Sequence, residues 1–150
     1  MKFILNLILV CAISFPALAQ TFPSRLGAGP SWTAKELMDP AVLASRLKSN
    51  KGGPIYIFNI GVVENIQGAK NVGAASDAEG LKKLKQSLSS IPKDKEVIIY
   101  CGCCPFDKCP NIRPAFNLMK SMGFKNGKLL NLPVNLQQNW KSRGYPMAKN

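Results

Sequence analysis

The stretch Glu96-Val97-Ile98-Ile99-Tyr100-Cys101-Gly102-Cys103-Cys104-Pro105-Phe106-Asp107-Lys108-Cys109 decides how the rest of the chain is read. Its first five residues form a short run of branched and aromatic side chains behind the turn Pro92-Lys93-Asp94-Lys95. Such a run is expected of a strand covered on both faces, the environment of a parallel sheet. Four cysteines then fall within nine residues, directly where the strand runs out. A structural disulfide framework would spread its cysteines along the chain to close long loops. A cluster this tight points instead to a reactive or metal-binding device.

Outward from this stretch, apolar strands alternate with helical periodicity. Ile55 to Ile60 reads as a second buried strand bounded by Gly53-Pro54 and Gly61, and Ala69 to Val72 as a weaker third. Leu81, Leu84, Leu88 and Ile91 lie among lysines as one stripe of an amphipathic helix from about Asp77 to Ser90. Arg113-Pro114 opens a helix with Ala115, Phe116, Leu118, Met119 and Met122 on its apolar face and Gly123 as its left-handed stop. Lys128 to Leu132 is a further strand, and Asn135 to Lys141 a last helix. Near the other end, Asp39 caps a helix that starts at Pro40 and turns Val42, Leu43 and Leu47 inward. Trp32 to Met38 is read as extended, although Thr33 and Glu36 have the spacing of a capping box. The alternation predicts an α/β domain with a mainly parallel sheet. Ligands of such sheets bind beyond the carboxyl ends of strands, which is where Cys101 stands.

The N-terminus reads as a signal peptide over residues 1–19. Lys2 precedes an apolar run from Phe3 to Phe15, and Ala17-Leu18-Ala19 has the small-x-small pattern of a cleavage site. The run is shorter than the roughly 20 residues a membrane span requires, so no stable membrane insertion is expected. A lipoprotein reading through Cys11 is disfavoured by Val10 before it. The expected location is therefore periplasmic or secreted, with a linker over residues 20–31 and one domain over residues 32–147. The formal net charge of +12 is spread as Lys/Arg pairs along the helices without aromatic interleaving. It reads first as a solvated basic surface and second as a field drawing small anions into a cleft, and nucleic acid is not an expected partner.

The chain contains no histidine. That excludes a Ser-His-Asp triad, a Cys-His pair and any zinc site with an imidazole ligand. Activation of a thiol is thus expected from backbone dipoles or cations.

The order of features resembles the rhodanese family from Trp32 to Met147. The resemblance rests on the Ile57-Phe58-Asn59-Ile60 strand, Ile66-Gln67-Gly68-Ala69, Val97 to Cys101, and Arg113 at the head of a helix. Met122-Gly123-Phe124 and Trp140-Lys141-Ser142-Arg143-Gly144-Tyr145-Pro146 complete it. It implies a five-stranded sheet with helices on both faces, and Cys101 as a catalytic thiol that carries sulfane sulfur as a persulfide. It further implies Arg113, with Gly102, as a binding site for a small anionic sulfur donor, a thiol as acceptor, and no cofactor. Lowering of the Cys101 pKa is expected from a cradle of backbone N–H groups near a helix N-terminus.

Three departures qualify the match. Cys101 and Arg113 are twelve positions apart, about twice the usual span of the family's loop. The family's Asp-x-Arg brace reads Asn59-Ile60-Gly61. Related phosphatases place five residues between Cys and Arg, a spacing that none of the four cysteines has, so phosphatase activity is not expected. Cys109, nearest Arg113, is the rival nucleophile to Cys101, while Cys103 and Cys104 are expected as resolving thiols or as partners in loop disulfides. Two other functions stay open: a copper(I) or zinc site formed by Cys101, Cys103, Cys104 and Cys109, and a non-catalytic interaction domain. Donor, acceptor and oligomeric state are not legible in the residues.

Overall fold

A computed structural model describes residues 32–49 and 53–149. The expected signal peptide and linker lie outside the described residues. The elements run β1 (Leu37–Met38), α1 (Pro40–Ser49), β2 (Tyr56–Asn59), β3 (Ala69–Asn71), α2 (Ala78–Ser89), β4 (Val97–Tyr100), α3 (Ile112–Ser121), β5 (Gly127–Leu130) and α4 (Leu136–Asn139). Five strands form one sheet in the order β1-β5-β4-β2-β3. Every pair is parallel, and β4 is central, with Ile98 registered between Ile57 of β2 and Lys128 of β5.

All four residues of β4 are buried. Its alternation splits the core in two. Val97 and Ile99 face the cluster that holds Leu84 and Leu88 of α2 and Ile112, Ala115, Phe116 and Met119 of α3. Ile98 and Tyr100 face the other, which holds Leu43 and Ala44 of α1 with Leu136 and Trp140. Helices therefore cover both faces, and burial of each large side chain contributes on the order of 1.5–3 kcal/mol. The expected architecture of a five-stranded α/β domain in three layers is the one observed.

Local departures have identifiable causes. The stretch from Trp32 to Met38 is only partly extended. The backbone N–H of Thr33 donates to Glu36 Oε2 at 3.1 Å, which winds Ala34–Glu36 into a 3-10 turn and leaves two residues for β1. At α1, Asp39 Oδ1 accepts from the N–H of Ala41 at 2.7 Å and of Val42 at 3.1 Å, as a cap should. Val42 itself is exposed, and Ala44 takes the inward place beside Leu43. Helix α3 begins at Ile112, so Pro114 is its third residue, still within the first turn where a missing N–H costs nothing. Helix α4 stops at Asn139 instead of Lys141. Trp140 leaves helical geometry to bury its indole, whose Nε1 donates to the carbonyl of Pro146 at 3.0 Å.

Candidate active site

The carboxyl end of β4 delivers Cys101 to the top of the sheet, where it is 1% exposed. Gly102 follows at φ +80°, a left-handed turn that a side chain would strain and for which there is no room, since a Cβ would lie 2.8 Å from that of Leu136. This turn folds the loop back on itself. Cys103 Sγ comes to 3.3 Å from Cys101 Sγ, and Cys104 Sγ lies 3.4 Å from Cys103 Sγ. Cys109, buried at the far end of the loop, returns beside Cys101. The Sγ atoms of Cys101, Cys103 and Cys109 all lie within 4.8 Å of one another. Cys104 is outside this trio, and its side chain packs with Phe106 against the core.

The structure joins none of the four cysteines by a disulfide. The loop's anchors are hydrogen bonds: Phe106 N–H to the carbonyl of Leu132, Leu136 N–H to that of Gly102, and Ile112 N–H to that of Cys109. Asn111, which the sequence did not single out, is buried and bridges two loops. Its Nδ2 donates to Cys101 Sγ at 3.2 Å, and its Oδ1 accepts from Ser76 N–H at 2.8 Å.

These contacts set the proton distribution. The hydrogen bond from Cys109 is the main influence drawing the Cys101 thiol down to about 5, with Asn111 and the S–H and backbone N–H of Cys103 assisting against the opposing effect of burial. The activation expected from a backbone cradle and cations thus comes chiefly from neighbouring thiols and one amide. The same contacts hold the donors protonated. Cys103 is pushed up to about 12 by desolvation and by the bonds it makes to Cys101 and Cys104. Cys109 is raised by the bond it gives to Cys101 and then by burial. The directions of these shifts favour the thiolate on Cys101 over Cys103 and Cys109.

The loop after β2 closes the other side of the site. Asn59, fully buried, donates from Nδ2 to the carbonyl of Val63 at 2.7 Å and to Asn65 Oδ1 at 3.0 Å, and accepts from Gly61 N–H at 3.1 Å. Gly61 lies so close to the cysteine that a Cβ would sit 2.7 Å from Cys101 Sγ. A neutral amide brace and a bare backbone occupy the places of the family's charged pair. Arg113 is the second residue of α3, with its guanidinium carbon 4.1 Å from the centre of the Trp32 ring. Beside Cys103, a groove of about 410 Å³ is lined by Val62, Val63, Glu64, Gly102, Leu136 and Lys141 among others.

No family model matches the sequence, and no curated protein does. Solved structures do. The rhodanese-like domain of an Anabaena protein, determined by solution NMR, is 22% identical over 77% of this chain and 80% of its own, with a TM-score of 0.54. A crystal structure of the Anabaena protein matches over 74% of this chain and 90% of its own at 24% identity and a TM-score of 0.53. The fold is rhodanese-like. A yeast protein tyrosine phosphatase of the rhodanese family is also similar, at 16% identity over 71% of this chain and 83% of its own, with a TM-score of 0.50. Within this rhodanese-like fold, Cys101 stands at the end of the central strand. The extended loop brings two further thiols onto it.

Proposed function

We propose that this rhodanese-like protein is a sulfurtransferase or thiol-redox enzyme that carries sulfane sulfur as a persulfide on Cys101. The observation that carries the reading is the convergence of Cys103 and Cys109 on one buried strand-end thiol, whose sulfur also accepts from Asn111 Nδ2. A thiolate is the nucleophilic form of cysteine, and donors on its sulfur hold it in that form at neutral pH. Cys109 is a donor in this arrangement, which favours Cys101 over it as nucleophile.

The chemistry follows from the geometry. The Cys101 thiolate attacks the outer sulfur of a small anionic sulfane donor. The new S–S bond forms as the bond within the donor breaks, and the donor remnant leaves with the electron pair. An acceptor thiolate then takes the outer sulfur and releases Cys101 as thiolate. Alternatively Cys103, at 3.3 Å, attacks the inner sulfur, which forms a Cys101–Cys103 disulfide and expels hydrosulfide. An external dithiol must then reduce that disulfide. Arg113 and the excess of basic residues would draw the anionic donor toward the loop. The N-terminal segment supports a working place outside the cytoplasm, periplasmic or secreted. A phosphatase reading is not favoured, because the cysteine nearest Arg113 in sequence is only four positions before it.

The test is intact-mass and peptide mass spectrometry of reduced protein after exposure to thiosulfate, polysulfide or mercaptopyruvate. The expected result is a gain of one sulfur atom on Cys101 with at least one donor, absent in Cys101→Ser. No gain with any donor, or a gain that survives the substitution, would falsify the proposal.

A further inference from the structure

We propose that Cys101, Cys103 and Cys109 form a three-thiolate site for a single copper(I) ion, from which Cys104 is excluded. Their three sulfurs lie within 4.8 Å of one another, and Cys101 and Cys103 are already at 3.3 Å. An ion placed among three thiolates at about 2.3 Å from each needs sulfurs about 4 Å apart, a spacing this triangle reaches by small side-chain rotations. The donor set selects the ion. No carboxylate belongs to the group and the chain has no imidazole, so hard cations find no ligand. A structural zinc ion takes four ligands, and the fourth thiol, Cys104, reaches Cys103 at 3.4 Å but falls outside the group whose sulfurs all lie within 4.8 Å of one another. Three soft sulfurs suit a monovalent soft ion.

The surroundings fit that role. Cys101 and Cys109 belong to a buried apolar cluster that would shield the ion from water and oxidants, while the exposed Cys103 gives it a way in. Asn111 Nδ2 already donates to Cys101 Sγ and would disperse charge on a metal-bound thiolate. Binding displaces the thiol protons to solvent and forms three Cu–S bonds. Copper enters and stays as copper(I), so no electron is transferred. Because the same sulfurs serve both purposes, copper and a Cys101 persulfide exclude each other, and copper would act as a cap on the sulfur chemistry.

The experiment is anaerobic titration of the reduced mature chain with copper(I) against a chromophoric chelator, repeated with zinc and with the Cys103→Ser and Cys104→Ser variants. Cys103 is exposed, so its substitution leaves the core intact. One ion per chain is expected, held well below micromolar. Cys103→Ser should weaken it by at least about a hundredfold through loss of a ligand, and Cys104→Ser should leave it within a few fold. Bound copper should also block sulfur uptake. Affinity no tighter than micromolar, equal losses in the two variants, or zinc retained against equimolar copper would overturn the site. Failure of the protein to take up sulfur in the absence of copper would count against the persulfide reading and leave the copper titration unaffected.

Discussion

Two loops leave neighbouring parallel strands and meet over the same sulfur, yet they are built on opposite principles. The loop after β2 is satisfied by hard hydrogen bonds. Asn59 ties Gly61, Val63 and Asn65 together, and the Tyr100 hydroxyl accepts from Ile66 N–H at 2.9 Å and donates to the Glu64 carbonyl at 3.2 Å. Burial drives that phenol well above its usual range, so it remains a fixed neutral bracket. The loop after β4 is tied to the rest of the fold by backbone hydrogen bonds to Leu132 and Leu136, but around Cys101 its contacts lie largely in sulfur, which is polarizable, weakly directional and able to change bonds. The contrast separates a bracket from a reactive element. The bracket gives Cys101 one position, and the thiols around it govern its charge.

Cys101→Ser should abolish sulfur loading, a loss of more than about a hundredfold in a nucleophile-dependent step, with the fold retained by circular dichroism. That outcome would confirm that reactivity belongs to the β4 loop. On the bracket side, Gly61→Ala forces a methyl group to within 2.7 Å of Cys101 Sγ. Overpacking of this kind costs about 1–3 kcal/mol, read in urea denaturation, and should slow sulfur loading as well. If neither changes, the two loops are not in the tight contact described. Asn59→Ala removes a buried amide that serves three partners and should destabilise by about 1–3 kcal/mol, while the thiolate absorbance of Cys101 persists at neutral pH. Asn111→Ala should have the converse pattern. Its cost in stability is smaller, and the midpoint of Cys101 ionisation moves upward because a donor to the thiolate is gone.

The pH dependence of stability sharpens the contrast further. Cys101 is lowered to about 5 when folded, against about 8.5 for a free thiol. Its contribution is fully present above pH 8.5 and is lost as pH falls toward 5. Cys103 is raised to about 12, and Cys109 is raised too, so their contributions run the other way and are lost as pH climbs above about 8.5. Stability attributable to the β4 loop should therefore peak near pH 8.5 in denaturation series. Replacement of Cys103 by Ser should flatten the alkaline limb.

The sequence made the frame legible because buried parallel strands are near-continuous apolar runs, and Val97 to Tyr100 is one. Asp39-Pro40 announced its helix start through a side-chain oxygen that does cap the backbone. Less was legible where tertiary contact decides. Trp140 could not be seen to end α4 until Pro146 supplied the acceptor for its indole. At the site, the number and strand-end position of the thiols were plain, but which three converge depends on the turn at Gly102. Asn111 carried no signal, because an amide beside Cys109-Pro110 is unremarkable until Ser76 and Cys101 are brought to its two ends. The loss of the charged brace was visible at Asn59 and Gly61. That Asn59 replaces the brace with its own hydrogen bonds, and that Gly61 is bare because Cys101 occupies the space, required the folded chain.

The central claim is that a thiolate persists on Cys101 while Cys103 and Cys109 stay protonated. Ultraviolet thiolate absorbance of the reduced protein across a pH series, with the Cys101→Ser spectrum subtracted, measures it directly. A single thiolate titrating near pH 5 and lost in the variant is predicted. A difference signal that rises only near pH 8.5, as for an ordinary cysteine, would contradict it.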